Sequence, residues 1–435
     1  MKRYMLISLG IGLLAALAVL ALYFLGIYEP AGAWLDNIYQ SRGVYPDNTT
    51  PERIAWAEIT TIPLISIWIC WCLSDLSQMS QKIIILFVFI LVIFGISPCL
   101  ALYGIFYEPF SSVSSVILGS LAAISFTGSE LGRRKRTLQT VLGRRVSRKT
   151  FNDLMEAQRP PVFEGHTTDT TVLTCRLFNR AELAEEMAPA DFLRMANLFR
   201  RMISGFLAAH GAYLDEAGPE IIRAWFGILR SDPNHPGKAV QAALEMRLAL
   251  KTLNQECKSR WNRELRIGVG ISSGEVVAGI YGSKQHFFLS AIGPEVDFSR
   301  RLSKANLRYN SDILIGPKTF KLVEDMVEVR PMEMFYDPES GSMTEIYQLL
   351  ALTADFGENN RQLRQHYWDG VILFREGKYS EAIESFSKAR VPGRDDGPLE
   401  FFIRQAQEKL SETRSESEAK SQLTGEGHSR LLGNL

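Results

Sequence analysis

The stretch at residues 216–227, EAGPEIIRAWFG, places two carboxylates, Glu216 and Glu220, directly ahead of an apolar run that reads as a buried strand. Carboxylate oxygens are what a hard divalent cation requires. Pro219 stands between them, where it removes a backbone N–H and fixes φ in a tight turn. A second polar set lies in AIGPEVDFSRRLSKA, where Asp297 and Arg301 fall four residues apart on a helix. An arginine on an amphipathic helix is by itself often only a surface ion-pair partner. Between the two sets, LRIGVGISSGEVVAG is rich in glycine, and Gly268, Gly270, Gly274 and Gly279 suit strand and turn geometry. The five cysteines, Cys70, Cys72, Cys99, Cys175 and Cys257, are scattered. Cys70 and Cys72 lie in an apolar stretch with no histidine or second pair nearby, so they read as packing rather than a metal site. No disulfide framework emerges, which puts the large polar part of the chain in a reducing compartment.

These residues need elements to hold them. TTVLTCRLF reads as a strand, and Pro189–Ala209 as a helix with its proline in the first turn. That helix carries Phe192, Met195, Leu198, Met202, Ile203 and Phe206 at helical spacing. A loop with Gly211 leads to a hairpin ending in IIRAWFG, and Pro236–Cys257 forms another amphipathic helix. LRIGVGISSGEVVAG reads as a strand followed by a glycine-rich turn, and a helix starts after Gly293. DILIG, MVEVRPM and TEIYQLL close the set as strands. The pattern implies one sheet sandwiched with helices, α+β or α/β.

Four of these blocks, Thr171–Arg176, HGAYLDEAGPEIIRAWFG, LRIGVGISSGEVVAGIYGS and AIGPEVDFSRRL, resemble the catalytic domain of class III nucleotidyl (adenylate/guanylate) cyclases. Their order and spacing match over about 180 residues, and four blocks in register are far more specific than one glycine-rich turn. The resemblance implies an α+β ferredoxin-like domain over residues 165–351 that dimerises head to tail, with active sites at the dimer interface. It implies a reaction in which the ribose 3′-hydroxyl attacks the α-phosphate and expels pyrophosphate, assisted by two divalent ions. In the family one Asp ends the first strand and a second follows a Gly in the hairpin. A Lys four residues before that second Asp contacts the base, and an Asn and an Arg on the later helix hold the transition state and the phosphates.

This sequence departs from that pattern at nearly every position. The first Asp position is Arg176, and the second is Glu220, with Pro219 in place of the glycine. The base-contacting Lys position is Glu216, the Asn position is Asp297, and only the arginine is retained, as Arg301. The base-selecting position is Ser290, similar to the threonine of many bacterial cyclases. The Gly-Phe-Thr turn whose amides cradle phosphates reads Asn179, Arg180, Ala181. A cation about 4 Å from a divalent ion costs on the order of 8 kcal/mol at an effective dielectric near 20. One remaining carboxylate does not recover that. The losses fall on both complementary halves of the site, so an intact partner chain would not fully rescue it. The expectation is a catalytically degenerate cyclase homologue in cyclic-nucleotide signalling, acting as a dimerising regulatory module, with no metal cofactor at this centre. Two other readings stay open. One is an active adenylate cyclase using Mg or Mn with atypical ligands; there Arg176 could hold a phosphate directly of ATP, since its fork suits phosphate. The other is a purely structural membrane scaffold.

The first part of the chain is apolar. Residues 1–128 read as a membrane region with spans at about 4–28, 57–73, 83–106 and 111–127. Glu58 sits at the mouth of the second span, where interfacial solvation makes it tolerable. Lys2 and Arg3 precede the first span and Arg133, Arg134, Lys135 and Arg136 follow the fourth. Four crossings put both clusters on one side, expected to be cytoplasmic at a bacterial inner membrane. The loop Glu29–Trp56 is then outside. Its PAGAWLDNIYQSRGVYPDN resembles the opening of a CHASE-type sensor, yet about 28 residues are too few for a domain with its own core.

Residues 129–164 form a linker whose Leu138, Val141, Leu142, Val146, Phe151, Leu154 and Met155 suit one helix with a sticky face, either a pairing helix or a tether. Within residues 360–410, Gly370, Gly377, Tyr379, Ala382, Phe386 and Ala389 resemble one tetratricopeptide-like helix pair, followed by a helix over Pro398–Leu410. One repeat cannot bury its face alone, so it is expected to pack on the cyclase-like domain or on a partner. Residues 411–435 are polar and expected to be disordered. The net charge is zero, which gives no global field for nucleic acid. Expected partners are the membrane, a nucleotide such as ATP, and a second chain, as a homodimer or as a heterodimer with another cyclase chain.

Overall fold

The computed structural model describes residues 2–46, 50–76, 78–143, 145–157, 161–283, 287–337, 341–393 and 395–432. They form two compact units, Met1–Gly143 with Phe151–Pro160, and Arg144–Thr150 with Pro161–Leu435.

The first unit runs α1 (Lys2–Phe24), α2 (Glu29–Ser41), β1 (Glu52–Arg53), α3 (Ala55–Asp75), α4 (Met79–Ala101), β2 (Ile105–Phe106), α5 (Pro109–Gly128) and α6 (Glu130–Leu142), with most of α7 (Arg148–Glu156). Four segments, Tyr4–Phe24, Ala55–Asp75, Met79–Ala101 and Pro109–Gly128, are helices long and apolar enough to cross a membrane. Small hydroxylic residues join them. Ser66 Oγ donates to Gly12 O at 3.0 Å and Ser8 Oγ to Ser74 Oγ at 2.9 Å, the kind of contact that replaces hydrophobic drive between helices in lipid.

Several sequence expectations are corrected here. The first span stops at Phe24 and the third at Ala101, because turns follow both. The segment 29–56 is not a bare loop: α2 occupies Glu29–Ser41, and β1 pairs in parallel with β2. Glu58 is not held by solvation. Its side chain is fully buried and accepts from Tyr23 Oη (2.7 Å), Arg53 Nη2 (3.0 Å) and the Glu108 amide (3.0 Å). The linker is two helices, since α6 ends at Gly143, whose φ of 52° a side chain would disfavour.

The second unit contains β3 (His166–Leu177), α8 (Arg180–Glu186), α9 (Pro189–Ala209), β4 (Tyr213–Ala217), β5 (Ile221–Phe226), α10 (His235–Trp261), β6 (Ile267–Gly282), β7 (Phe287–Ile292), α11 (Pro294–Tyr309), β8 (Ile313–Ile315), α12 (Pro317–Val323), β9 (Val327–Asp337), β10 (Ser342–Leu352), α13 (Glu358–Arg375), α14 (Tyr379–Lys388) and α15 (Gly397–Leu432). The sheet has the order β4-β5-β3-β6-β8-β10-β9, with β7 also on β6. Only β6 with β8 is a parallel pair among the described strands of this sheet. Alternate residues of the central strands, such as Leu173, Cys175, Ile222, Ala224, Val269 and Ile271, join one core with Phe199 and Ile203 of α9 and Val240 and Met246 of α10. On β6, α11 packs so closely that a Cβ at Gly270 would lie 2.2 Å from the Ser299 carbonyl oxygen.

Two more expectations change. The glycines of LRIGVGISSGEVVAG do not end a strand: β6 continues for 16 residues, with Gly268 and Gly270 admitting α11, Gly274 taking a φ of 156° and Gly279 lying against Gly165. The tail expected to be disordered continues α15 to Leu432, although its residues are mostly polar and include Gly425 and Gly427. The C-terminal helices pack on their own unit, where Tyr367, Val371, Phe386 and Phe402 share a core with Leu314, Met332 and Ile346.

Candidate functional site

β3 and β5 place the first pair of residues. Arg176 lies opposite Ile221 in the β3–β5 register, and the Leu177 amide donates to Glu220 O at 2.8 Å. That bond fixes the residue just before β5 beside the end of β3. Arg176 Nη1 then lies 2.5 Å from Glu220 Oε1, and Arg180 Nε, from the first turn of α8, lies 3.3 Å from Glu220 Oε2. The Arg176 and Glu220 side chains are 20% and 38% exposed. Both carboxylate oxygens therefore face guanidinium groups, and Arg176 Nε is buried with no hydrogen-bond partner. Asn179 ties the turn to the entry of β6, accepting from the Arg266 amide and donating to Glu264 O.

The hairpin builds a second cluster around a residue that the sequence reading missed. Asp215 is 1% exposed in its side chain, and its Oδ2 accepts from Arg223 Nε (2.8 Å), Trp225 Nε1 (3.2 Å) and Ser290 Oγ (2.9 Å). Ser290, at the base-selecting position of the resemblance, is thus engaged by the hairpin itself. Glu216 is half-exposed and 3.8 Å from Arg223 Nη2. Asp215 shares the buried side of β4 with Tyr213, as strand alternation places it, and the signals for it were that alternation and the Arg223 and Trp225 pair on the facing strand.

The two α11 residues stand elsewhere. Asp297 is exposed and pairs with Arg300 Nη2 at 2.6 Å. Arg301 is exposed, its guanidinium 5.5 Å from the Phe298 ring centroid. Among the described residues, no hydrogen bond or ion pair joins either of them to Arg176, Glu220, Glu216 or Ser290. The start of α11 is anchored by Glu295, also missed in sequence, which accepts from Ser272 Oγ and pairs with Lys318 Nζ at 2.9 Å. Beneath the sheet, His235 Nδ1 lies 2.7 Å from Thr171 Oγ1 and Nε2 3.8 Å from Asp169 Oδ2. Burial pushes this imidazole below its ordinary value, against the pull of Asp169 and Asp232.

No cluster of three or more His, Cys, Asp or Glu suited to a metal ion occurs among the described residues. A divalent ion at Glu220 would meet two guanidinium groups and a single carboxylate, so these residues do not fit it.

No family model matches the sequence. Over 185 residues the chain is 23% identical to Adenylate cyclase 1 of Rhizobium meliloti, covering 42% of this chain and 28% of that protein. Over 209 residues it is 22% identical to an uncharacterized protein of Mycobacterium tuberculosis, covering 45% of this chain and 37% of the relative. The chain thus spans well under half the length of the curated relatives it matches. Among solved structures, the guanylyl cyclase Cya2 aligns at 24% identity, covering 45% of this chain and 98% of that one, with a TM-score of 0.41. The adenylyl cyclase CyaB from P. aeruginosa aligns at 23% identity, covering 45% and 100%, with a TM-score of 0.41. The sequence similarity supports homology of this region to adenylate/guanylate cyclase catalytic domains.

Proposed function

We propose that the chain is a membrane-anchored homologue of class III nucleotidyl cyclases that no longer turns over nucleotide and works as a dimerising regulatory module. One observation carries this: a guanidinium group bridges to the carboxylate that the family would give to a metal. Glu220 is neutralised by Arg176 and Arg180 within its own chain. An ion entering there would have to break both contacts and then sit beside a fixed cation, at a cost of on the order of 8 kcal/mol. The strand order β4-β5-β3-β6, with helices between its members, supports a ferredoxin-like core. The basic residues at both ends of the four apolar helices support insertion in an inner membrane with both termini cytoplasmic. The partner is a second copy or another cyclase chain.

A second reading is favoured by Arg176 Nε, which is buried and has no partner. Arg176 and Arg180 could hold a nucleotide phosphate without catalysing its transfer. Turnover separates both from an active cyclase. Full-length protein in detergent, given ATP or GTP with Mn²⁺ or Mg²⁺, is expected to yield no cyclic nucleotide by mass spectrometry. Its appearance would restore the active-cyclase reading.

A further inference from the structure

The helix α2 lies across one end of the apolar helices, the end opposite Lys135, Asp75 and Tyr4. A Cβ at Gly32 would stand 3.2 Å from Glu108 Cγ, and Tyr39 Oη donates to Ser97 Oγ at 3.2 Å. The helix therefore runs from the end of α1, past the start of α5, to the last turns of α4. Tyr28, Gly32 and Tyr39 recur at helical spacing on the side that meets the bundle. The two flanks beside that face differ. Glu29, Asp36 and Gln40 share one, where Gln40 Nε2 donates to Asp36 Oδ2 at 3.0 Å and Tyr45 Oη to Asp36 Oδ1 at 2.6 Å. Ala31, Trp34 and Ile38 share the other.

The apolar flank is one part of a rim. Trp34 is 61% exposed, Trp56 at the start of α3 is 72% exposed, and Tyr103 just after α4 is 82% exposed. Phe24, Leu25 and Ile27 lie exposed between α1 and α2, and Leu102 is exposed beside Tyr103. The indole N–H groups of Trp34 and Trp56 and the Tyr103 hydroxyl have no hydrogen-bond partner among the described residues. Single exposed apolar residues are ordinary on a water-facing surface. Two tryptophans and a tyrosine at one end of a bundle, each with an apolar body and a free polar tip, match the boundary between acyl chains and headgroups instead.

We propose that α2 is an in-plane membrane helix whose partner is the lipid headgroup region. Its Ala31, Trp34 and Ile38 flank rests on the upper acyl chains, and its Glu29, Asp36 and Gln40 flank faces water. Trp56 and Tyr103 mark the same depth around the bundle. The proposal rests on the reading of the four apolar helices as membrane spans. α2 carries Glu29 and Asp36 and is followed by Arg42, so it offers no excess of positive charge and its hold on lipid is apolar rather than electrostatic. The segment whose sequence resembles the opening of a sensor is thereby a lipid contact, not a free receptor surface.

The test is fluorine NMR of the full-length chain, labelled with fluorotryptophan, in phosphatidylcholine nanodiscs. Trp34→Phe, Trp56→Phe and Trp68→Phe assign the three signals. A lipid nitroxide near the headgroup is expected to broaden Trp34 and Trp56 about twofold more than a nitroxide at the chain end. Trp68, exposed within α3, is expected to show the reverse order. Broadening of Trp34 by a soluble gadolinium chelate and by neither lipid probe would put α2 in water. Broadening of Trp34 by none of the three would put a protein surface, such as a second copy, over that flank. Either result overturns the proposal. Escape of Trp68 from both lipid nitroxides would instead sink the membrane reading itself, which keeps the two failures apart.

Discussion

Arg176 does for Glu220 what a divalent cation would otherwise do, at short range and with no ligand to lose. The pair is only partly buried, so its worth is modest, about 1 kcal/mol or less. Replacing the guanidinium by a carboxylate reverses the local balance. Arg176→Asp is expected to lower the melting temperature by several degrees in metal-free buffer, because two carboxylates then share the turn. Millimolar Mn²⁺ should restore it in the variant and leave the wild type unmoved. A wild type stabilised equally by Mn²⁺ would show that Glu220 still takes an ion. His235 makes a separate prediction. Burial holds the folded imidazole below its ordinary value of 6.5, so the unfolded chain binds the proton more readily. Its stabilising contribution is complete above that value and is lost as the pH falls through and below it, with a slope bounded by about 1.4 kcal/mol per pH unit for one proton. Urea titrations from pH 7.5 to pH 5, on the order of one unit either side of the ordinary His value, should show this slope in the wild type and a flatter one in His235→Asn. At this scale the sequence spoke through residue identity at aligned positions, which is how Arg176, Glu216, Glu220 and Asp297 stood out. It was silent on Asp215 and Glu295, whose roles come from side chains on neighbouring strands and from a helix docking on a strand.

Among the elements, β6 and the C-terminal helices depend most on tertiary context. The glycines of β6 looked like a turn because glycine is permissive in turns. The use of Gly268 and Gly270 is instead to let α11 approach, which only a neighbouring helix can reveal. Besides their apolar core, the C-terminal helices are tied to the sheet through the buried cation Arg330. Arg330 is bound in bidentate fashion by Asp396 at 2.5 and 2.8 Å, donates to Gln348 Oε1 at 2.6 Å, and lies 4.5 Å from the Tyr367 ring centroid. Asp396→Asn leaves that charge buried with half its pairing gone, a loss of about 3 kcal/mol or more. Hydrogen exchange should quicken in α13, α14 and α15 and stay unchanged in β3 and α9. Uniform quickening across the unit would mean that the helices and the sheet unfold together. This helix pair was read from its resemblance to a repeat, which did not give the surface it covers, since one helix pair does not name its partner.

Across the whole molecule, the four apolar helices were legible because bilayer length and apolar content leave few alternatives. Their buried polar groups were not. Glu58 gave no hint in sequence that Tyr23, Arg53 and the Glu108 amide would all converge on it. The homology to cyclase catalytic domains was readable from four blocks in register, whereas the proposed loss of its chemistry rests on a handful of side chains. The most direct measurement compares two full-length proteins in detergent: the native chain, and a variant with Arg176→Asp, Glu216→Lys, Pro219→Gly, Glu220→Asp and Asp297→Asn. Both would receive ATP and GTP with Mn²⁺, and cyclic nucleotide would be quantified by mass spectrometry. The expected result is none from the native chain and measurable product from the restored variant, because the fold persists while its ion site is occupied by an ion pair. Product from the native chain would contradict this and show that Arg176 takes part in the chemistry it is taken to have replaced.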